Sequence, residues 1–160
     1  DGPVVLSSGY AQEYYHHDWV LDAMEGGELP KGVRYLICCY GPATPLLKQL
    51  ADRTIRIKNA KIAYGLGPNE FHYLLRRAHV YVRPTDIDSF GIAAWDAAAE
   101  GLKVVASNAS RRPPHSFVHP VKDRGAFISC LRDALASREA TVPPQLHQGA
   151  AESIANFLSQ

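Results

Sequence analysis

The chain has 160 residues with 17 basic against 16 acidic side chains; this length suits one domain around a single core, and so even a balance calls for neither nucleic acid nor an acidic membrane surface. Three cysteines, two of them adjacent at Cys38 and Cys39, argue against a disulfide framework and for a reducing, cytoplasmic setting, because neighbouring strand residues point to opposite faces. No apolar run approaches the roughly 18 residues of a membrane helix, and the N-terminus lacks the order of a signal peptide. In chain order, apolar and β-branched runs predict strands at Val4 to Ser8, Arg34 to Tyr40, Lys61 to Tyr64, His79 to Arg83 and Lys103 to Ser107, with a short one near Ser116 to Val118. Helical patterns fill the gaps at Asp18 to Met24, Pro45 to Ala51, Asn69 to Ala78, Phe90 to Glu100, Asp123 to Ser137 and Gln148 to Leu158. Such alternation predicts an α/β fold, a Rossmann-like doubly wound parallel sheet with helices on both faces. Residues 1 to 140 would form that domain, and Thr141-Val-Pro-Pro would open a linker and C-terminal helix over 141 to 160. The chain starts at Asp1 without Met, so a fragment of a longer protein is expected.

In a doubly wound sheet, ligands bind beyond the carboxyl ends of the strands. The loops after Ser8, Tyr40, Tyr64, Arg83 and Ser107 are therefore the ones to read for chemistry. The most informative stretch is Val80 to Ser107, which reads as strand, acidic loop, Ala-rich helix and strand in succession, with Gly101 ending the helix. Asp88 and Asp96 bracket the turn into that helix. At about 100° per residue, both carboxylates fall toward one side and could meet one ligand. Between them, the amides of Phe90, Gly91 and Ile92 would be unpaired at the positive end of the helix dipole, which suits a diphosphate flanked by hydroxylated groups. From spacing alone, the same two acids read equally well as a helix N-cap and a solvated side chain. Gly65-Leu66-Gly-Pro68 follows a strand and opens a helix, but lacks the third glycine of a dinucleotide fingerprint. His16-His17-Asp18 invites a metal reading, yet adjacent histidines diverge and no third ligand is evident, so no metal is assigned. Cys38 and Cys39 are read as packing residues rather than nucleophiles, and Trp95 with its alanine neighbours as the face that packs the helix on the sheet.

The segment from Asp88 to Asp96, an acid, a Phe-Gly turn and a second acid eight positions on, resembles the sugar-nucleotide signature of retaining GT-B glycosyltransferases, the group that includes glycogen synthases, with both Glu shortened to Asp. Ile62 to Thr85 is similar to that family's glycine loop, short helix and strand ending in Pro-Thr. Tyr35 to Pro42 and Val4 to Tyr10 resemble two further strands of its C-terminal domain, so the likeness runs from about Val4 to Leu135. The resemblance implies one half of a GT-B fold that binds a nucleoside-diphosphate sugar, a UDP-sugar as the first guess, without a metal or other cofactor. Asp88 would meet hydroxyls of the donor sugar and Asp96 those of the ribose. Ser89, Phe90 and Gly91 would form the diphosphate turn, Gly65 and Leu66 would line the base, and Gly9 would lie in the loop beside the donor. The acceptor, a glycan or lipid-linked glycan of polysaccharide biosynthesis, would be held by an absent N-terminal domain, the full-length protein being cytoplasmic or peripheral at the inner membrane face. Where the family carries an Arg and then a Lys after its first strand, this chain has Tyr10 and Tyr15. Positive charge would then come from Arg111 and Arg112 after the fifth strand, or from His16 or His17; the Arg pair reads as readily as a solvated one. The departure supports an alternative, a non-catalytic nucleotide-sugar-binding or structural module. An unrelated flavodoxin-like binding domain is the third reading.

Overall fold

The computed structural model describes residues 2 to 137. The linker and last helix expected over 141 to 160 lie outside the described residues. Six strands, β1 (Val4–Tyr10), β2 (Arg34–Tyr40), β3 (Ala60–Tyr64), β4 (Val80–Arg83), β5 (Lys103–Ser107) and β6 (Phe117–His119), form one sheet in the order β3-β2-β1-β4-β5-β6. Every pairing is parallel. Among the described residues, five helices, α1 (Asp18–Glu25), α2 (Pro45–Arg56), α3 (Pro68–Leu75), α4 (Ile92–Ala99) and α5 (Arg124–Ala136), and a 3-10 turn over Glu13–Tyr15 accompany them. The order reverses between β1 and β4, so the crevice of a Rossmann-like sheet opens there.

Strand alternation builds a core on each face. Val5, Ile37, Cys39, Val80, Val82 and Val105 point to the side covered by α1, α2 and α5, where Trp19, Leu21, Leu50 and Phe127 are buried. Their neighbours Leu6, Cys38, Tyr81 and Val104 point to the other side, against α3 and α4. Ala94, Ala97 and Ala98 let the backbone of α4 approach the sheet closely, which is why that helix carries so little bulk on its buried face. Two buried serines of β1 tie it to its neighbouring strands: Ser7 Oγ lies 2.7 Å from the Tyr35 hydroxyl of β2, and Ser8 Oγ 2.8 Å from that of Tyr81 on β4.

Element ends follow capping chemistry. Thr44 Oγ1 accepts the Leu47 amide at 3.2 Å ahead of Pro45, and Asp123 Oδ1 accepts the Ala126 amide at 2.8 Å, so α2 and α5 begin where a side chain fills an orphan donor. Glu70 reaches back to the Gly67 amide at 2.8 Å and starts α3 at Pro68, one residue ahead of expectation. α4 starts at Ile92 rather than Phe90, because Gly91 has φ +69° and stands outside the helix. β1 continues past Ser8 through Gly9 and Tyr10, which pair with Cys39 and Tyr40.

Candidate functional site

A cleft of about 340 Å³ opens at the carboxyl edge of the sheet beside the β1–β4 reversal. Ser8 of β1 and Cys38, Cys39 and Tyr40 of β2 form its floor. Leu66, Gly67 and Pro68, with Phe71 and His72 of α3, make one wall, and Ile92, Ala93 and Asp96 of α4 make the other. Gly65 turns the chain out of β3 with φ +72°, its amide donating to the Cys39 carbonyl at 2.9 Å. Among the described residues, no carbonyl or side chain accepts from the amides of Phe90, Gly91, Ile92 or Ala93, so the first turn of α4 offers unpaired donors next to the cleft.

Asp96 and Asp88 have different surroundings. Asp96 is partly exposed on the cleft wall and makes no ion pair with the described residues. Asp88 is not the open acceptor that the sequence leads one to expect: its side chain is only 3% exposed. Arg83, the last residue of β4, donates through Nε and Nη2 to the two carboxylate oxygens at 2.6 and 2.9 Å, and Arg112 Nη1 donates to Oδ2 at 2.6 Å. Burial alone would raise the Asp88 pKa, but the hydrogen bonds from Arg83 and Arg112 outweigh it and hold the group below its ordinary value. Arg112 also donates through Nε to the Ser107 carbonyl at 2.7 Å. Gly91 caps this cluster: a Cβ there would lie 2.5 Å from Arg112 Nη1 and 2.7 Å from Asp88 Oδ2. The clamp therefore braces the turn into α4 from beneath, while Asp96 faces the cleft.

The other expected residues separate. Arg112 joins the clamp, whereas its neighbour Arg111 is exposed, as are Ser89 and Phe90. Gly9, with φ +152°, touches the Tyr15 ring, where a Cβ would come within 2.3 Å, so its lack of a side chain seats that ring. Tyr10, Tyr15 and Tyr40 form an edge-on aromatic cluster, and the Arg83 guanidinium lies 5.3 Å from the Tyr15 ring centre. His17 does not supply the positive charge considered for it. It is buried between Ser7 Oγ and the Tyr10 carbonyl, and burial lowers its pKa to about 4, so it is neutral. His16 faces Asp86 at 2.9 Å without hydrogen-bond alignment and stacks on Trp19. No cluster of three His, Cys, Asp or Glu side chains able to hold a metal ion occurs among the described residues. Burial raises the Cys38 and Cys39 thiols to about 12 and 11. Arg83 was missed because a basic residue before Pro84 at a strand end carries no recognisable pattern; only the fold brings it under α4.

This sheet order, with a cleft at the reversal and a helix start offering amides, defines a Rossmann-like α/β domain. The family model described as "Glycosyl transferases group 1" matches residues 1–140, and the chain belongs to that family. Its architecture is one half of a GT-B fold. Similar solved structures include α,α-trehalose 6-phosphate synthase from Burkholderia multivorans (TM-score 0.71, 13% identity) and sucrose-phosphate synthase from Thermosynechococcus elongatus (TM-score 0.69, 19% identity). A third is a trehalose-phosphate synthase from Burkholderia xenovorans, described as UDP-forming and in complex with glucose-6-phosphate (TM-score 0.67, 16% identity). They are aligned over 84%, 86% and 84% of this chain but only 35%, 37% and 36% of their own, so the chain spans about a third of their length. No curated protein matches the sequence.

Proposed function

We propose that the chain is the donor-binding half of a retaining GT-B glycosyltransferase and takes a nucleoside-diphosphate sugar in the cleft between α3 and α4. The observation that carries this reading is the position of Asp96: a carboxylate without an ion-pair partner among the described residues, on the same cleft as the Leu66–Pro68 loop and beside the amides at the start of α4 that no described residue pairs. In this reading the base lies along Gly65 and Leu66, the ribose hydroxyls donate to Asp96, and the diphosphate meets the amides of Gly91, Ile92 and Ala93, with Ser89 and Phe90 at the rim. Asp88 acts on the donor sugar only through its remaining lone pair or by holding the turn. Arg112 holds that turn with it, and Arg111 stands at the edge of the site. A uridine nucleotide is the first choice of donor, in line with the UDP-forming description of one structural neighbour. In the intact enzyme, the bond between the anomeric carbon and the diphosphate oxygen breaks, and its electron pair leaves with the diphosphate. An acceptor hydroxyl, on a glycan or lipid-linked glycan held by an N-terminal domain, then bonds to that carbon and loses its proton. This chain alone should bind the donor without transferring the sugar.

Calorimetry with UDP-glucose and other nucleoside-diphosphate sugars tests the reading. Binding by the parent chain and loss of it in Asp96→Ala are expected; affinity unaltered by the substitution would refute it. A second reading, a binding module without catalysis, is favoured by one observation: the Asp88 carboxylate is already engaged by two arginines. Transfer activity in the full-length protein decides between the two.

A further inference from the structure

The cluster of Arg83, Asp88 and Arg112 does not balance its charge. Two guanidinium groups, with side chains 9% and 3% exposed, share one carboxylate that is itself 3% exposed. Asp86, the other acid of the same loop, faces His16 instead. A surplus positive charge withdrawn from water is costly unless something anionic answers it. Arg112 is spent on Asp88, the Ser107 carbonyl and Ser107 Oγ. Arg83 gives two donors to Asp88; beyond that it makes a long 3.4 Å contact from Nη1 to the Ser8 carbonyl and meets the Tyr81 hydroxyl, neither of which carries a formal negative charge at neutral pH. Ser8 is part of the cleft floor, and Arg83 Nε lies 3.5 Å from where a Gly91 Cβ would be, directly before the first turn of α4. The Tyr15 ring lies over the guanidinium, with its centre 5.3 Å from the guanidinium carbon.

We infer that Arg83 is the cation that meets the phosphate charge of the ligand at the inner end of the cleft, with Asp88 and Arg112 fixing its orientation. This rests on the proposed nucleotide-sugar reading and deepens it, since the helix-start amides supply only partial charges whereas a fixed guanidinium supplies a whole one in the fork geometry that phosphate oxygens match.

The test is a comparison of UDP with uridine on the 160-residue chain, by calorimetry and by NMR titration for the weaker probe, with the ADP/adenosine and GDP/guanosine pairs alongside. Arg83→Met should lower affinity for the diphosphate about 10- to 100-fold and leave the nucleoside affinity unchanged, so the ratio between them collapses. Arg83→Lys should restore part of that ratio. A merely structural role would move both probes together, and a Met variant that keeps the parent ratio overturns the inference while leaving the proposed function standing. A parent chain that binds none of the six probes overturns both. Should the Met variant fail to fold, Arg83→Gln, which can still donate to Asp88, reads the same ratio.

Discussion

Replacing Asp88 by Asn isolates what the clamp does for the fold. The substitution keeps the size of the side chain and removes its charge, leaving two guanidinium groups, 9% and 3% exposed, to share one neutral acceptor. Breaking a buried ion pair from one side costs about 3–5 kcal/mol, because the remaining charge stays desolvated. Here two cations are stranded, while the amide oxygen recovers one of the three hydrogen bonds at 2.6, 2.6 and 2.9 Å. The middle of that range, about 4 kcal/mol, is the expected loss, equivalent to a fall in Tm of about 10–15 °C for a domain of this size. Urea denaturation of the parent and Asp88→Asn chains at pH 7 measures it. The parent should also weaken in acid: a carboxyl held below its ordinary pKa stabilises the fold above its unfolded value, near 3.9, and that contribution is lost as pH falls through the folded value. A variant within about 1 kcal/mol of the parent would refute the clamp, and a variant that is equally stable but blind to nucleotide would return Asp88 to direct ligand contact.

Three further outcomes are expected. His17 is neutral when folded, with a pKa lowered to about 4; its contribution is present above the unfolded value of about 6.5 and is lost as pH falls toward 4. By pH 4.5 this costs the parent about 2–3 kcal/mol, a slope that denaturation curves at pH 7 and 4.5 should reveal in the parent and not in His17→Phe; equal slopes would contradict it. Gly91→Ala must hold an L side chain at φ +69° and push a Cβ against Arg112 and Asp88, so a loss of about 2–4 kcal/mol should appear in the same assay. Asp96→Ala removes a partly exposed side chain that makes no ion pair with the described residues and should leave stability within about 0.5 kcal/mol of the parent, making any loss of nucleotide-sugar binding a direct effect.

Much of the sheet was legible because both of its faces are covered. Runs such as Tyr35-Leu-Ile-Cys-Cys-Tyr40 are apolar throughout, as strands buried on both sides must be. Errors fell at the ends, where single residues decide. Gly9 reads as a strand stop, yet it continues β1 because its missing side chain admits the Tyr15 ring. α2 runs on from Ala51 to Arg56 through polar residues that an exposed helix face tolerates. Asp96 on the cleft wall is a position that helical spacing allowed, although spacing alone read it as readily as a solvated side chain. The pairing of Asp88 had no such sign, since it joins the end of β4 to a residue beyond β5, and Arg112 meets Asp88 across 24 positions that no local pattern spans. His17 and His16 look equivalent on paper, and only the strand behind them makes one a buried neutral group.

The adjacent thiols of β2 point into opposite cores, 4% and 2% exposed, and both border the cleft. Their proton affinity leaves almost no sulfur anion at neutral pH. An alkylating dye added to folded protein should therefore mark Cys130 first, which is only partly covered, and reach the strand pair only when the domain transiently opens. Any compound seated in the cleft would slow that second phase. The molecule thus carries its own reporter of occupancy, readable by mass spectrometry of the alkylated thiols without a substrate assay.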